Sequence, residues 1–596
     1  MAMAFSKFVF LTLLFLPLFI HVSSQTISHQ EQTMENPLIL QACSNIKDER
    51  TCLSNVKSFL DNDHPNNHKP DSILRAALKA TLKETHVAIQ SFTRFTSLSS
   101  SSREQMAIED CKELLDFSVS ELAWSLAEMK EIQAGSQDPH YKNNLKSWLS
   151  AALSNQDTCL EGFEGTDRHL ESFIRGSLMQ VTQLISNVLS LYTQLHVLPF
   201  KPPRNHDDDT TNTFFPKWIN EGDRNLMLGS PNGMHVDVVV ALDGSGRYRS
   251  ISEAINDAPN HSKKRYVIYA KRGIYKENVD MKKKKTNIML IGDGIGATVI
   301  TGDRNFMQGW TTFRTATVAV SGRGFIARDI TFRNTAGPQN HQGVALRVDS
   351  DQSAFYRCSM EGYQDTLYAH SLRQFYRECT ISGTIDFIFG NGAAVLQNCK
   401  IYTRDPLPLQ KVTITAQGRK SPNQNTGFSI QDSYVYATNP TYLGRPWKEY
   451  SRTVFMNTYM TSMVQPRGWL EWYGNFGLST LWYGEYKNYG PGASMSGRVR
   501  WPGYHMAMDA STANYFTVRR FIDGLSWLPS TGVAFSAGLN NCPIRNSTNG
   551  MDMGPVNGVS MCNTFSANHL YHILSRMKIV YHKYDFILEI MQNTIS

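Results

Sequence analysis

No two of the nine cysteines in this 596-residue chain form a C-x-x-C pair, and none is joined by histidines at zinc spacing. A metal site is therefore disfavoured. No G-x-S-x-G elbow occurs either, which argues against a conventional serine esterase. Charge of one sign is in short supply: 59 Lys and Arg against 52 Asp and Glu leave a net charge of +7. That excess is compatible with an acidic polymer as partner but is first a solubility feature, and it implies no nucleic-acid partner. After Ile20 no stretch is long and uncharged enough to span a membrane.

What is present divides the chain. "MAMAFSKFVFLTLLFLPLFIHVSSQ" has a basic start at Lys7, an apolar run over Phe8 to Ile20 and small residues at Ser23 and Ser24. It reads as a secretory signal over residues 1–24, so the protein is expected to be secreted to the extracellular space. Export permits disulfides and opens the sequons at Asn260 and Asn546 to glycosylation. An odd cysteine count leaves at least one thiol unpaired within the chain.

Over residues 35–195 the apolar residues fall at helical spacing: Leu74, Leu78, Leu82, Ile89 and Phe92, then Leu115, Val119, Leu122, Leu126 and Met129, then Leu178, Val181, Ile185, Val188 and Leu191. The spacing predicts an all-α, antiparallel four-helix bundle. Its four cysteines suggest two staples, Cys43 to Cys52 and Cys111 to Cys159, among three permitted pairings. No convergent polar cluster in this region looks catalytic. Residues 196–229, with "PFKPPRNHDDDTTNTFFPKW" and a candidate processing site at Arg224, read as an exposed linker.

From about Val236 short β-branched and aromatic runs follow one another, broken by Gly, Asn and Asp. "AFYRCSMEGYQDTLYAHSLR" is followed by "QFYRECTISGTIDFIFGNG", with an aspartate seven residues past each cysteine. Cys358, Cys379 and Cys399 lie 21 and 20 residues apart, and Asp329 and Asp432 stand in the same phrase. That period predicts an all-β, right-handed parallel β-helix over residues 230–539, ahead of a propeller, whose blades take about 40 residues or more.

If one coil takes about 21 residues, Asp365 and Asp386 occupy equivalent places on coils about 4.8 Å apart. Two carboxylates so close titrate together, one protonated and one ionised, which separates an acid from a base or nucleophile. The competing reading is that they are turn formers in successive loops. Gln342 and Gln364 tip the balance, because neutral amides can donate to a developing oxyanion. Arg445 can grip a carboxylate in bidentate fashion. Tyr368, Phe389, Trp447 and Trp469 offer flat faces to sugar rings, and Phe389 serves equally well as core.

"GIYKE", "QGVALRV", "YQDTLY", "GTIDFIFGN" and "YLGRPWKEYSRT" stand in the order and spacing of plant pectin methylesterases. The resemblance covers roughly Val236 to Leu539, and the helical region resembles the inhibitor-like pro-region of the longer plant forms. It implies hydrolysis of C6 methyl esters of homogalacturonan (pectin) in the cell wall, with Asp386 as nucleophile and Asp365 as general acid, then base. Gln342 and Gln364 would hold the oxyanion and Arg445 would orient Asp386. Thr312, Gln342, Arg445 and Trp447 match substrate contacts of the family. Spacing leaves Cys379 free to pair with either neighbour; the resemblance favours Cys379 to Cys399. It implies no metal or organic cofactor, and as partners its own N-terminal domain and separate inhibitor proteins; a β-helix with a long cleft is expected to act as a monomer.

Three places depart from the family pattern. Gly343 replaces the common alanine beside Gln342, the junction reads R-N-L-M without a second basic residue, and residues 540–596 continue past the pattern's end. Two rivals remain. A chain-cutting glycosidase would need its acids further apart or on opposite sides of the bond. In a non-catalytic pectin binder, an uncleaved pro-region would cover the cleft.

Overall fold

The computed structural model describes residues 36–63, 69–133, 139–167, 169–196, 235–506 and 508–539. The signal, nearly all of the linker with Arg224, Cys542, Cys562 and the sequon at Asn546 lie outside the described residues.

Six helices precede the β region among the described residues: α1 (Pro37–Ala42), α2 (Glu49–Asp63), α3 (Pro70–Phe95), α4 (Ser102–Gln133), α5 (Pro139–Glu161) and α6 (His169–Leu195). The last four are the long helices of the predicted bundle. Helix α3 starts where Pro70 supplies a pre-set φ at a position that needs no N–H. It buries Leu74, Leu78, Thr81, Thr85, Ala88 and Phe92, a stripe at three- and four-residue steps. Helix α6 does the same with Ile174, Leu178, Val181, Ile185, Val188 and Tyr192. Both expected staples form: Cys43–Cys52 with Cα atoms 5.7 Å apart and Cys111–Cys159 at 4.4 Å.

The second region is a parallel β-helix. Among the described residues, twenty-six short strands stack into sheets of 11, 7 and 8 strands, and every named strand pair is parallel. Each coil contributes to each sheet in turn, so residues about 20 to 35 apart in sequence face each other in register, as Thr380 does Lys400 and Lys400 does Tyr434. The interior is a continuous column of apolar side chains from Val238 to Tyr504, including Phe332, Phe355, Tyr376, Ile388 and Trp469. A helix at Ile251–Asp257 closes the first coil, its Ser250 side chain accepting from Glu253 N. At the other end, helices Ala510–Tyr515 and Val518–Phe521 cover the outer face of the 11-stranded sheet through Phe516, Val518 and Phe521.

The corner between the first and third sheets explains the repeated phrase. Asp329, Arg357, Glu378, Asn398, Asp432 and Asn457 all adopt φ between 48° and 59°. These left-handed residues turn the chain at equivalent points of successive coils. The rung differs by one from the sequence reading: Ser359 pairs Thr331 and Thr380, which aligns Asp329 with Arg357 and Glu378 and puts the cysteines one residue later.

The expected Cys379–Cys399 bond is not formed; Cys358, Cys379 and Cys399 are all free thiols in the interior. Stacked equivalent positions have parallel Cα–Cβ vectors spaced by about 4.8 Å, whereas a disulfide needs Cβ atoms within about 4.5 Å and converging. The sulfurs make weak contacts to carbonyls of the coil instead, Cys379 to Phe355 O at 3.4 Å and Cys399 to Tyr376 O at 3.5 Å. Alkylation in denaturant without reductant should therefore label Cys358, Cys379 and Cys399 and spare Cys43, Cys52, Cys111 and Cys159. Peptide mapping that finds a Cys379–Cys399 bridge would contradict this.

Candidate active site

The sheet of seven strands forms the floor of a cleft. Its register sets an inward rung of Leu367, Ile388, Thr415 and Gly444 beside an outward rung of Ala319, Arg347, Tyr368, Phe389, Ala416 and Arg445. Alternation along a strand therefore lines the floor with one residue per coil. Asp365 and Asp386 stand two residues before Leu367 and Ile388, on neighbouring coils at the edge of this floor. Both occupy the left-handed region, at φ 65° and 51°, which an aspartate tolerates better than most residues.

The two carboxylates have opposite surroundings. Arg445 Nε donates to Asp386 Oδ1 at 2.9 Å and Nη2 to Oδ2 at 2.6 Å. Thr413 Oγ1 adds a 2.6 Å bond to Oδ1 and accepts from the Asp386 backbone N–H at 2.9 Å. Asp386 is thus fixed with its charge balanced. The Asp365 carboxyl makes no hydrogen bond among the described residues. Burial, then the charge of Asp386, push it well above the usual carboxylate range, Glu164 adds to this and Arg445 opposes it. One group is a held carboxylate and the other is poised to carry a proton.

Gln342 and Gln364 face each other across a parallel bridge beside Asp365. Gly343 N donates to Gln364 O at 3.1 Å, while both side-chain amides remain unengaged among the described residues. Gly343 permits a close approach: a Cβ there would stand 3.0 Å from Asn334 Oδ1 and 3.3 Å from Ala336 Cβ. The Tyr368 and Phe389 rings stack at 4.1 Å on the floor, with Trp447 tilted against Phe389 at 5.9 Å. Thr312 opens a 3-10 turn at Thr312–Thr315, next to Phe313 of the apolar cluster that includes Tyr368 and Phe389.

Trp469 is not part of the site. It pairs with Gly444 and so continues the inward rung, where the missing Gly444 side chain leaves room. It is fully buried in the coil interior, stacked on Tyr483 at 4.2 Å. The aromatic that reaches the cleft is Trp472, three residues on, with the Arg445 guanidinium 4.3 Å from its ring. The phrase "WLEW" carries both tryptophans, and only the register tells them apart.

The helical bundle covers this cleft. Phe313, Ala319, Val344, Tyr368, Phe389 and Ala416 belong to the same apolar cluster as the bundle core. Around it, acids of α4 and α5 meet cations of the β-helix: Asp110 and Glu113 bind Arg314, Glu113 binds Lys282 and Glu121 binds Lys283. Asp157 binds Lys420 and Glu161 binds Lys448. Trp148 Nε1 donates to Asp351 at 2.9 Å, and Thr158 shares a 2.9 Å hydrogen bond with His370. Burial holds His370 at about 3, hence neutral.

The pectinesterase family model matches residues 237–525, and the plant invertase/pectin methylesterase inhibitor model matches residues 37–191. A relative from Arabidopsis thaliana, named for a pectinesterase/pectinesterase inhibitor, is 67% identical over 515 residues, 85% of this chain and 94% of its own. A pectinesterase/pectinesterase inhibitor of Prunus persica is 52% identical over 479 residues, 77% of this chain and 88% of its own. Among solved structures, a pectin methylesterase from carrot is 56% identical with a TM-score of 0.51, covering 51% of this chain and 98% of that one.

Glu121 yields a pH test. Burial outweighs the Lys283 charge and the Asn155 hydrogen bond and pushes it from 4.5 to about 7. Burial thus favours the protonated form over the ion pair with Lys283, so its contribution is complete below the ordinary carboxylate value and is lost as pH rises through about 7. The melting temperature of the full chain should fall across that window, and Glu121→Gln should flatten the fall. An unchanged pH profile in the variant would remove Glu121 from the account.

Proposed function

The chain belongs to the pectinesterase family and is a carboxylic ester hydrolase acting on pectin, and from that premise we propose how its residues divide the work. The observation that carries the proposal is the contrast between Asp386, clamped by Arg445 and Thr413, and Asp365, buried beside it with a carboxyl that makes no hydrogen bond among the described residues.

An Asp386 oxygen attacks the C6 carbonyl carbon of a methylated galacturonosyl residue. The tetrahedral oxyanion takes hydrogen bonds from the idle amides of Gln342 and Gln364. As the bond to the methoxy oxygen breaks, Asp365 gives its proton to the departing methanol, leaving an acyl-enzyme on Asp386. Asp365, now a carboxylate, takes a proton from water, whose oxygen attacks the acyl carbon and frees the acid product. Arg445 positions Asp386 throughout, while Tyr368, Phe389, Trp447 and Trp472 form the platform for the sugars and Thr312 lies along it.

The bundle cannot stay where it is while a polymer lies in the cleft, since its own core rests on Tyr368 and Phe389. It therefore acts as an internal inhibitor, and the covered chain is latent until residues 196–229 are cut or the bundle moves away. We read residues 1–24 as a signal removed on secretion and residues 35–195 as the pro-region. Residues 230–539 are the catalytic unit, a monomer working in the extracellular cell wall and open to separate inhibitor proteins. Asn260, exposed on the surface, suits glycosylation. Among the described residues no helix is long and apolar enough to cross a membrane.

Methanol release from highly methylesterified pectin is the test, with new reducing ends assayed in parallel. Residues 230–539 should release methanol without new ends, and Asp386→Asn should lose about 10³-fold or more. The full chain should be much slower than the 230–539 fragment. Equal rates would rule out the internal inhibitor, and reducing ends without methanol would rule out the esterase.

A further inference from the structure

Along the seam between the two regions, carboxylates of the bundle meet cations of the β-helix, as Asp157 does Lys420 and Glu161 does Lys448. At one place the sign is reversed. Lys146 of α5 is a bundle cation, and it lies within reach of the charges of two β-helix cations, Arg419 and Arg452. Neighbouring contacts fix the place. Ser147 Oγ accepts from Asn425 Nδ2 at 3.0 Å, and the carbonyl of the next residue, Thr426, accepts from Arg452 Nε at 2.8 Å. The backbone N–H groups of Arg419 and Arg452 share one acceptor, Gln417 Oε1, at 3.0 and 2.8 Å. Tyr515, the last residue of the helix Ala510–Tyr515, completes the cluster. Arg452 opens a strand of the 11-stranded sheet, so the cluster is separate from the cleft floor.

Both arginines are only 8% exposed. Arg419 gives its donors to the carbonyls of Gln424, Pro422 and Tyr450. Arg452 has a donor left over: its Nη2 is buried and has no hydrogen-bond partner. Among the described residues no carboxylate is paired with any of the three cations. The groups whose charge reaches them are the other cations of the cluster and the phenols Tyr450 and Tyr515. Tyr515 registers the resulting field. Burial raises its hydroxyl, but Arg452, Lys146 and Arg419 together outweigh burial and hold it below the ordinary phenol value. The tyrosine is 39% exposed, so the cluster is open to solvent on its side.

An idle buried guanidinium N–H beside two further cations is unfavourable unless an anion completes the set. Chloride brings one charge and a single carboxylate balances one cation of three. A tetrahedral oxyanion brings two charges and several acceptor oxygens, which suit charge-assisted bonds from more than one side. We infer that Lys146, Arg419, Arg452 and Tyr515 form a binding site for a divalent oxyanion of the phosphate type. Arg452 Nη2, Lys146 Nζ and the Tyr515 hydroxyl donate to its oxygens, and Arg419 adds charge from beneath. Lys146 belongs to the bundle and the other three to the β-helix, so the anion ties the two together. It therefore binds the covered form and favours it by mass action. That it deepens latency rests on the internal-inhibitor reading above; the site itself does not.

The full chain is titrated with inorganic phosphate by calorimetry at fixed ionic strength, and its melting temperature is followed in parallel. Wild type should bind one phosphate, and phosphate should raise the melting temperature above that in NaCl of equal ionic strength. Lys146→Gln should weaken the affinity about tenfold. A wild type that binds no phosphate overturns the inference, as does a Lys146→Gln chain that binds it equally well. Should Lys146→Gln fail to fold, Tyr515→Phe decides, since it keeps the ring and removes a donor: weaker binding is expected and unchanged binding overturns the inference. Trigalacturonate is the second probe, and wild type that prefers it to phosphate at this site overturns the phosphate assignment. Methanol release by the full chain should slow in phosphate for wild type and not for Lys146→Gln. Binding without any slowing overturns the link to latency. A full chain as fast as residues 230–539, with or without phosphate, defeats the internal-inhibitor reading instead and leaves the site to be judged by calorimetry.

Discussion

In-register stacking of coils about 4.8 Å apart governs this molecule. It fixes which residues share a rung, and each rung has one character from coil to coil. The inward rung through Leu367 and Ile388 is core, the outward rung through Tyr368 and Phe389 is floor, and Asp365 and Asp386 stand two residues before that inward rung on neighbouring coils. No loop has to fold back to bring the two acids together. Their proximity follows from the pitch of the fold, and their difference follows from what the next coils supply. Thr413 stands two residues before Thr415 and Arg445 one residue after Gly444, so both reach Asp386 and leave Asp365 alone.

The same flat floor is what the helical bundle recognises. Its apolar core merges with the cleft aromatics, and its acids meet a row of lysines and arginines around the rim. Several of these acids are deeply buried, and burial raises Asp110, Glu121 and Glu161. A lid held by such pairs closes firmly through shape and apolar contact, while its charged contacts remain sensitive to pH. The rim cations Lys282, Lys283, Lys420 and Lys448 are each paired with a carboxylate of this inhibitor-like domain.

Legibility from sequence differed by residue in a physically consistent way. Asp365, Asp386, Gln342, Gln364 and Arg445 could be read because each sits in a short phrase and the repeat gives the spacing between phrases. The structure brings these five together. Trp469 and Trp472 could not be told apart, since choosing between them requires knowing which tryptophan continues the Gly444 rung. Cys379 and Cys399 have disulfide-like spacing only if the coil geometry is ignored.

By itself the sequence determined the two periods, hence a helical bundle followed by a β-helix, the two staples of the bundle and the aspartate pair. Those properties reside in local patterning: 3.6-residue spacing, a coil repeat of 20 to 21 residues in its clearest part, and acids at a constant offset from cysteines. Only the tertiary structure decided that the bundle lies over the cleft and that three cysteines stay reduced. It also decided that Asp386 is held while Asp365 is not, and which tryptophan meets Arg445. Each of these depends on contacts between residues tens to hundreds of positions apart, such as Thr158 with His370 or Arg445 with Asp386. Register and docking set such contacts, and neither is encoded in any one stretch of the chain.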